Sequence, residues 1–143
     1  MRKLLGLLVL VGVALVLAAR PLVAHHAFAA EFDKDRPIKL QGKVIKMQWI
    51  NPHPWIHIEV VGKDGKPSVW MIEASAPNNL LRRGFTRDSL PPGTMITVEG
   101  YQALDGTNKA NGRDVTFPDG TRLFAGSSGT GAPRDGRDPT EKK

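Results

Sequence analysis

The chain of 143 residues contains no cysteine, and this absence removes several classes of protein at once. A disulfide framework, a thiolate metal site and a thiol nucleophile all need a side chain that the sequence does not have. Aromatic residues are also scarce, at 6% of the chain, and histidine occurs only four times. The soft or aromatic side chains that could serve a metal or a ligand are therefore a small set of histidine, methionine and tryptophan residues.

Catalytic motifs are missing as well. The sequence has no G-x-S-x-G nucleophile motif and no H-E-x-x-H zinc motif. Its acidic residues fall mostly in turns or on solvated strand faces, so no general acid and base pair stands out. We therefore expect a protein that is not an enzyme, with an unrecognised hydrolase as one alternative.

The N-terminus has the pattern of a secretory signal peptide. Residues 1–3 include two basic side chains, residues 4–17 form an apolar run of fourteen, and small residues lead to Ala24. This run is shorter than the roughly 20 residues that a membrane-spanning helix needs. We predict a signal-peptide helix over residues 1–24, cleavage after Ala24, and export to the periplasm or the medium. Cleavage after Ala29 and a retained anchor are the alternatives.

The charge of the chain argues against nucleic acid as a partner. The formal net charge is +6, but three basic residues lie in the predicted signal peptide, which leaves 17 basic and 14 acidic residues, a net of +3. A balance this small does not indicate binding to nucleic acid or to a membrane surface. We expect a monomer whose partner is a small ligand or a periplasmic protein. It would contact the membrane only through an uncleaved signal peptide.

Patterning divides the rest of the chain into three parts. Residues 25–37 contain Phe28 and Phe32, which suggests that this segment packs on the domain that follows. Residues 38–125 carry the alternating apolar patterns of a β-rich domain. Residues 126–143 lack large apolar side chains and are typical of a disordered tail.

The alternating segments predict a mostly β fold of small size. Strands are expected at 38–50, 55–61, 68–74 and 95–101, followed by extended segments at 114–117 and 121–124 on either side of a Pro-Asp-Gly turn. A bulge or bend is expected at Gly42 and a polar loop at 105–113. One short helix is expected, with Ser75 as its N-cap and Gly84 at its end. This order matches an OB-fold, a five-stranded barrel with one short helix between strands 3 and 4. A five-stranded sandwich or roll is the alternative.

The hairpin at 55–74 can pair in two registers. A two-residue loop at its Asp-Gly turn pairs Ile58 with Met71 and makes Met71 part of the core. A three-residue loop with a bulge pairs His57 with Met71, and Trp55 with Glu73, on the outer face. The second register gathers the apolar side chains of both strands on one face, so burial favours it.

Five stretches of the sequence resemble one known family. In chain order they are HHAFAAEFD, GKVIKMQWINPHPWIHIEV, APNNLLRRGFTRDSL, VEGYQALDG and NGRDVTFPDGTRLFAGSS. Together they resemble the small exported bacterial proteins of the domain of unknown function 6152, over about His25 to Ser128. The resemblance implies export and a small β-rich domain. It implies no activity and no catalytic residues.

The stretch NPHPWIH at residues 51–57 gathers two histidines and a tryptophan, and it supplies the candidate ligand site. His53 and His57 would lie roughly 13 Å apart along an extended strand, too far to share one ion unless the chain bends sharply. The prolines favour an extended turn at this point. Because OB-folds bind ligands on the face of strands 2 and 3, the candidate ligand-binding residues are Trp55, His57, Met71 and His53.

Copper is the one cofactor that the sequence suggests. The favoured hairpin register puts His57 beside Met71, a soft ligand pair that suits Cu(I). Cleavage after Ala24 would leave His25 with a free α-amino group, which can chelate Cu(II) with help from His26, His53 or His57. The candidate metal residues are therefore His25, His26, His53, His57 and Met71. The simpler explanation of the three tryptophans is that they pack in the core or at the rim of the barrel. The simpler explanation of the N-terminal histidines is that they bind metal only adventitiously.

Overall fold

A computed structural model describes residues 28–126. The predicted signal-peptide helix, the histidine pair His25 and His26, and the polar tail beyond Gly126 lie outside the described residues. The described elements, in chain order, are α1 (Phe28–Glu31), β1 (Phe32–Gln48), β2 (Trp55–Val61), β3 (Pro67–Glu73), α2 (Pro77–Arg82), β4 (Met95–Ala103), β5 (Lys109–Thr116) and β6 (Arg122–Phe124). Neither helix of this part has the length and apolar character that crossing a membrane requires.

The prediction of a mostly β fold with one short helix between the third and fourth strands is confirmed. The sheet order is β3-β2-β1-β4-β5-β6, and a further pairing of β3 with β5 joins the first five strands into a ring. Neighbouring strands are antiparallel except for β3 and β5, which are parallel. The expected number of five strands is wrong, because residues 28–126 contain a sixth, β6, which pairs with β5.

The first strand is longer than its sequence pattern predicts. It begins at Phe32 and pairs with β4 from there, while β2 pairs with it only from Lys43 onward. Gly42 marks a close approach of two strands, since a Cβ there would lie 2.7 Å from the Glu59 carbonyl oxygen. The irregularity in the β1–β2 pairing comes just after it, between Val44 and Lys46.

The hairpin has the register that burial favours. His57 is paired with Met71 and Trp55 with Glu73. Gly62 donates its N–H to the Lys66 carbonyl oxygen, which leaves a three-residue loop whose last residue is a glycine with φ of +76°. The inward side chains of the hairpin join a core made largely of aliphatic residues. The fully buried residues of this core include Ile56, Ile58, Ile72, Leu80, Phe85 and Val98.

The helix α2 follows β3 and contributes one fully buried side chain to the core. Pro77 stands in its first turn, where a missing N–H breaks no helical hydrogen bond, and Leu80 packs into the core. Ser75 lies one residue too early to cap the helix. Ala76 is the N-cap, and the Ser75 hydroxyl oxygen accepts a hydrogen bond from the Asn79 side chain instead.

A second, smaller apolar cluster lies on the outer side of the sheet. Phe28 and Phe32 are 3% and 5% exposed and pack with Ala103 and Tyr101. The Phe28 ring meets the Tyr101 ring edge to face, with centroids 5.4 Å apart. The short helix α1 is therefore held against β4, which positions it beside Trp55.

Candidate functional site

One row of side chains crosses four strands on the outer face of the sheet. Lys46 on β1 pairs with His57 on β2, His57 with Met71 on β3, and Met71 with Lys109 on β5. Paired residues on neighbouring strands point to the same face, so these four side chains form a continuous line. His57 and Met71 thus lie side by side, with a lysine at each end of the row.

His57 shares the outer face but is not openly exposed. Its side chain is 9% exposed, and its Nε2 lies 2.8 Å from the Gln48 Oε1. Because an amide oxygen accepts, Nε2 carries the proton and Nδ1 keeps its lone pair. Burial lowers the pKa of His57, and the nearby charge of Lys46 lowers it further. The imidazole is therefore neutral at neutral pH.

His53 belongs to the connection between β1 and β2. Its Nδ1 donates to the Ala74 carbonyl oxygen over 3.1 Å, while the Ala74 N–H donates to the carbonyl oxygen of the buried Pro54. The Asn51–Pro52 peptide bond in this connection is cis. His53 and His57 are thus anchored to different partners, the first to Ala74 just after β3 and the second to Gln48 on β1, and neither histidine bonds to the other.

The described residues do not bring metal ligands together in a larger set. Between Phe28 and Gly126, no three or more histidine, aspartate or glutamate side chains are grouped as a metal ion would require. The pair of His57 and Met71 is the part of the predicted copper set that the fold places side by side. His25 and His26 lie outside the described range.

Trp55 lines a groove that sequence reasoning did not foresee. The groove has a volume of ≈ 320 Å³ and lies where α1, the start of β2 and the β4–β5 turn meet. Its apolar lining includes Phe32, Trp55 and Leu104, and its charged lining consists of Glu31, Asp105 and Lys109. Trp49 and Trp70 pack against the core instead, so Trp55 is the tryptophan that reaches this groove.

The β4–β5 turn that forms one wall is held by its own side chains. The Asp105 Oδ1 accepts hydrogen bonds from the N–H and the hydroxyl of Thr107, over 2.9 and 2.6 Å. These bonds lower the pKa of Asp105, and the charge of Lys109 adds to the effect. The Gln102 amide also donates to two carbonyl oxygens of the turn. The signal in the sequence is the Asp-Gly-Thr stretch, which is typical of such turns.

A buried polar pair lies next to the groove, and the sequence did not reveal it either. Asn111 on β5 donates from Nδ2 to Oε1 of Glu73 on β3 over 3.2 Å. Glu73 is the register partner of Trp55, so this pair supports the strand positions on which the tryptophan depends. The parallel pairing that unites these residues joins segments far apart in the chain and has no local sequence signature.

The comparisons place the chain in one family. A family model described as "Family of unknown function (DUF6152)" matches residues 13–112, and the chain belongs to that family. Comparison with curated proteins and with solved structures found no match. The family description names no activity, so the function has to be argued from the site itself.

Proposed function

We propose that this chain is an exported, periplasmic binding or accessory domain without enzymatic activity, and that its ligand face is the outer side of the β2–β3 hairpin. One observation carries the proposal. The hairpin register puts Trp55, His57 and Met71 on a single face, beside a groove that has a hydrogen-bonded turn as one wall. Concave sites lined by apolar groups and a few oriented polar groups are the usual form of ligand sites.

The strand order supports an OB-like fold for this domain. The ring runs β1-β2-β3-β5-β4, and the helix α2 lies between β3 and β4, as in that fold. OB-folds bind their ligands on the face of strands 2 and 3, flanked by the β1–β2 and β4–β5 loops. Here the β2–β3 face carries Trp55, and the β4–β5 turn carries Asp105.

Export follows from the signal-peptide pattern of residues 1–24. The experiment begins with expression of the full precursor in a bacterial host, fractionation of the cells, and N-terminal sequencing of the product. The mature protein is expected in the periplasmic fraction. Recovery of the intact precursor in the cytoplasm would contradict this half of the proposal.

The binding half is tested by hydrogen exchange. The protein is compared alone and with the small-molecule fraction of a periplasmic extract, and exchange is expected to slow in β2, β3 and the β4–β5 turn. The Trp55→Ala variant should lose that protection, while Leu81→Ala, at an exposed side chain on α2 outside the groove lining, should keep it. Identical hydrogen-exchange rates with and without the extract would contradict the binding role. Turnover of a periplasmic ester, glycan or phosphate would contradict the absence of enzymatic activity.

Copper binding by His57 and Met71 is a second candidate, supported by their direct pairing and by the neutral state of His57. A neutral imidazole binds metal without first losing a proton. The two lysines that end the row act against it, because they repel any cation. A competition titration with the Cu(I) chelator bicinchoninic acid should show affinity that Met71→Leu removes. Equal Cu(I) affinity of the two proteins would exclude the pair as ligands.

A further inference from the structure

We propose that the groove beside Trp55 binds a neutral saccharide of one or two rings. This inference rests on the proposed binding role of the same face and names the class of its ligand. The groove volume of ≈ 320 Å³ is near the lower end of the roughly 300–1,000 Å³ that small-molecule sites occupy. A ligand of this size has to satisfy both the apolar and the charged groups of the lining.

The groove lining carries both carboxylates and an ammonium, so a ligand of either charge meets a like charge there. Glu31 and Asp105 oppose an anion, and Asp105 stays ionised because Thr107 hydrogen-bonds its carboxylate. The Lys109 ammonium opposes an organic cation that would otherwise stack on Trp55 and meet the two carboxylates. A ligand without net charge meets neither repulsion.

The polar groups also select against a purely apolar ligand. A flat hydrocarbon that covered the groove would take the carboxylate of Asp105 and the ammonium of Lys109 out of water without new hydrogen bonds, which is costly. Within residues 28–126, both hydrogen bonds to the Asp105 carboxylate go to Oδ1, so Oδ2 can accept one from a ligand. Lys109 can donate to a ligand oxygen.

A pyranose ring combines the two kinds of surface that the groove requires. One face of the ring presents C–H groups that can lie on the indole of Trp55, and its edges carry hydroxyl groups. These hydroxyls both donate and accept, so one ring can serve a carboxylate and an ammonium at once. The hydrogen bonds that hold the β4–β5 turn keep Asp105 in place before a ligand arrives, which reduces the entropy lost on binding.

The three tryptophans allow a direct test with the full chain. In a ¹H–¹⁵N spectrum each indole N–H gives its own signal, and Trp55→Phe identifies the signal of Trp55. Cellobiose, maltose and diacetylchitobiose are titrated separately as neutral probes, with tetramethylammonium and glucuronate as ionic probes. At least one neutral disaccharide is expected to shift the Trp55 signal saturably, while the signals of the core-packed Trp49 and Trp70 stay still.

Matched variants separate binding from folding. Asp105→Asn keeps an oxygen that Thr107 can bond, but it removes the charge that a ligand hydroxyl would meet, so the affinity should fall about tenfold. Asp64→Asn is the control, because Asp64 accepts a turn hydrogen bond from Lys66 in the hairpin loop, outside the groove lining. That variant should bind like the unmodified protein.

Other outcomes overturn the proposal. A shift of the Trp55 signal by tetramethylammonium or glucuronate alone would assign the groove to an ionic ligand. The saccharide proposal would be contradicted if none of the three disaccharides shifted the Trp55 signal in large millimolar excess. It would also be contradicted if Asp105→Asn and Asp64→Asn lost the same affinity for the disaccharide. Neither result would remove the binding role itself, because protection of the face by periplasmic extract is measured separately.

Discussion

Asn111 donates a hydrogen bond to the carboxylate of Glu73 across the parallel β3–β5 pair, and the two side chains are only 4% and 9% exposed. A buried carboxylate that loses a donor keeps its desolvation penalty without the compensating bond. Asn111→Ala should therefore lower the free energy of unfolding by about 1–3 kcal/mol. Urea unfolding measures the loss.

The matched control is Asn108→Ala, in the exposed turn just before β5. There the backbone oxygen accepts a hydrogen bond from Met71, and this bond does not depend on the side chain. Its stability should stay within about 0.5 kcal/mol of the unmodified protein, as for ordinary surface substitutions. A loss as large as that of Asn111→Ala would show that the bond to Glu73 is not the cause.

The pKa of His57 should change when Lys46 is substituted but not when Lys43 is substituted. Lys46 lies opposite His57 and lowers its pKa, so Lys46→Gln should raise that pKa toward the ordinary value of about 6.5. Lys43→Gln is the control, because Lys43 is 3.5 Å from the carboxylate of Glu59 and is paired with it. An NMR titration of the imidazole reports both. A larger shift in the control would contradict the assignment to Lys46.

The same lowered pKa makes stability depend on pH. The unfolded chain protonates His57 near pH 6.5, whereas the folded protein does so only at lower pH. Between these two values the unfolded state holds more protons, so stability falls as the pH falls below about 6.5 and stops falling once both states are protonated. Urea unfolding at a series of pH values should show this slope, and His57→Gln should reduce it. An unchanged slope in the variant would assign the effect to other groups.

The burial of Phe28 favours cleavage after Ala24 over cleavage after Ala29. Cleavage after Ala24 keeps this buried residue, whereas cleavage after Ala29 removes it from its contacts with Phe32 and Tyr101. We expect the mature protein to begin at His25. In that form Phe28→Ala should cost about 3 kcal/mol of stability, and Val61→Ala, at a side chain 64% exposed, very little. A mature N-terminus at Ala30 in a stable protein would contradict both expectations.

The sequence predicted those parts of the fold that depend on local alternation. Residues 55–61 alternate strictly, and the need to bury Ile56 and Ile58 with Ile72 was enough to select the hairpin register. The start of β1 was missed because Pro37 and the charged residues before it are typical of a break. Pro37 is tolerated because only β4 pairs with β1 there, so a missing N–H can face the open side.

The groove could not be predicted in the same way. Lys109 and Asn111 stand in a polar, glycine-containing stretch whose local pattern indicates a loop. They belong to a strand because β4 pairs with this stretch along one edge and Met71 to Glu73 of β3 pair with it along the other. The same long-range pairing sets the distance between Trp55 and Lys109 across the groove, and no local pattern encodes it. The outer-face position of His57 was predicted, but its burial follows from contacts with β1, such as the bond to Gln48.

The ring is closed by three residue pairs, Met71 with Lys109, Ile72 with Ala110, and Glu73 with Asn111. These partners are far apart in the chain, so their pairing carries a large loop-closure entropy and is expected late in folding. Opening of this short seam would expose two strand edges, which are sites for aggregation. The groove is lined by Trp55 of β2 and Lys109 of β5, so it spans the β3–β5 pairing that closes the ring. A ligand bound in the groove would stabilise the closed ring. Its removal would favour the open form, in which the edges of β3 and β5 are exposed.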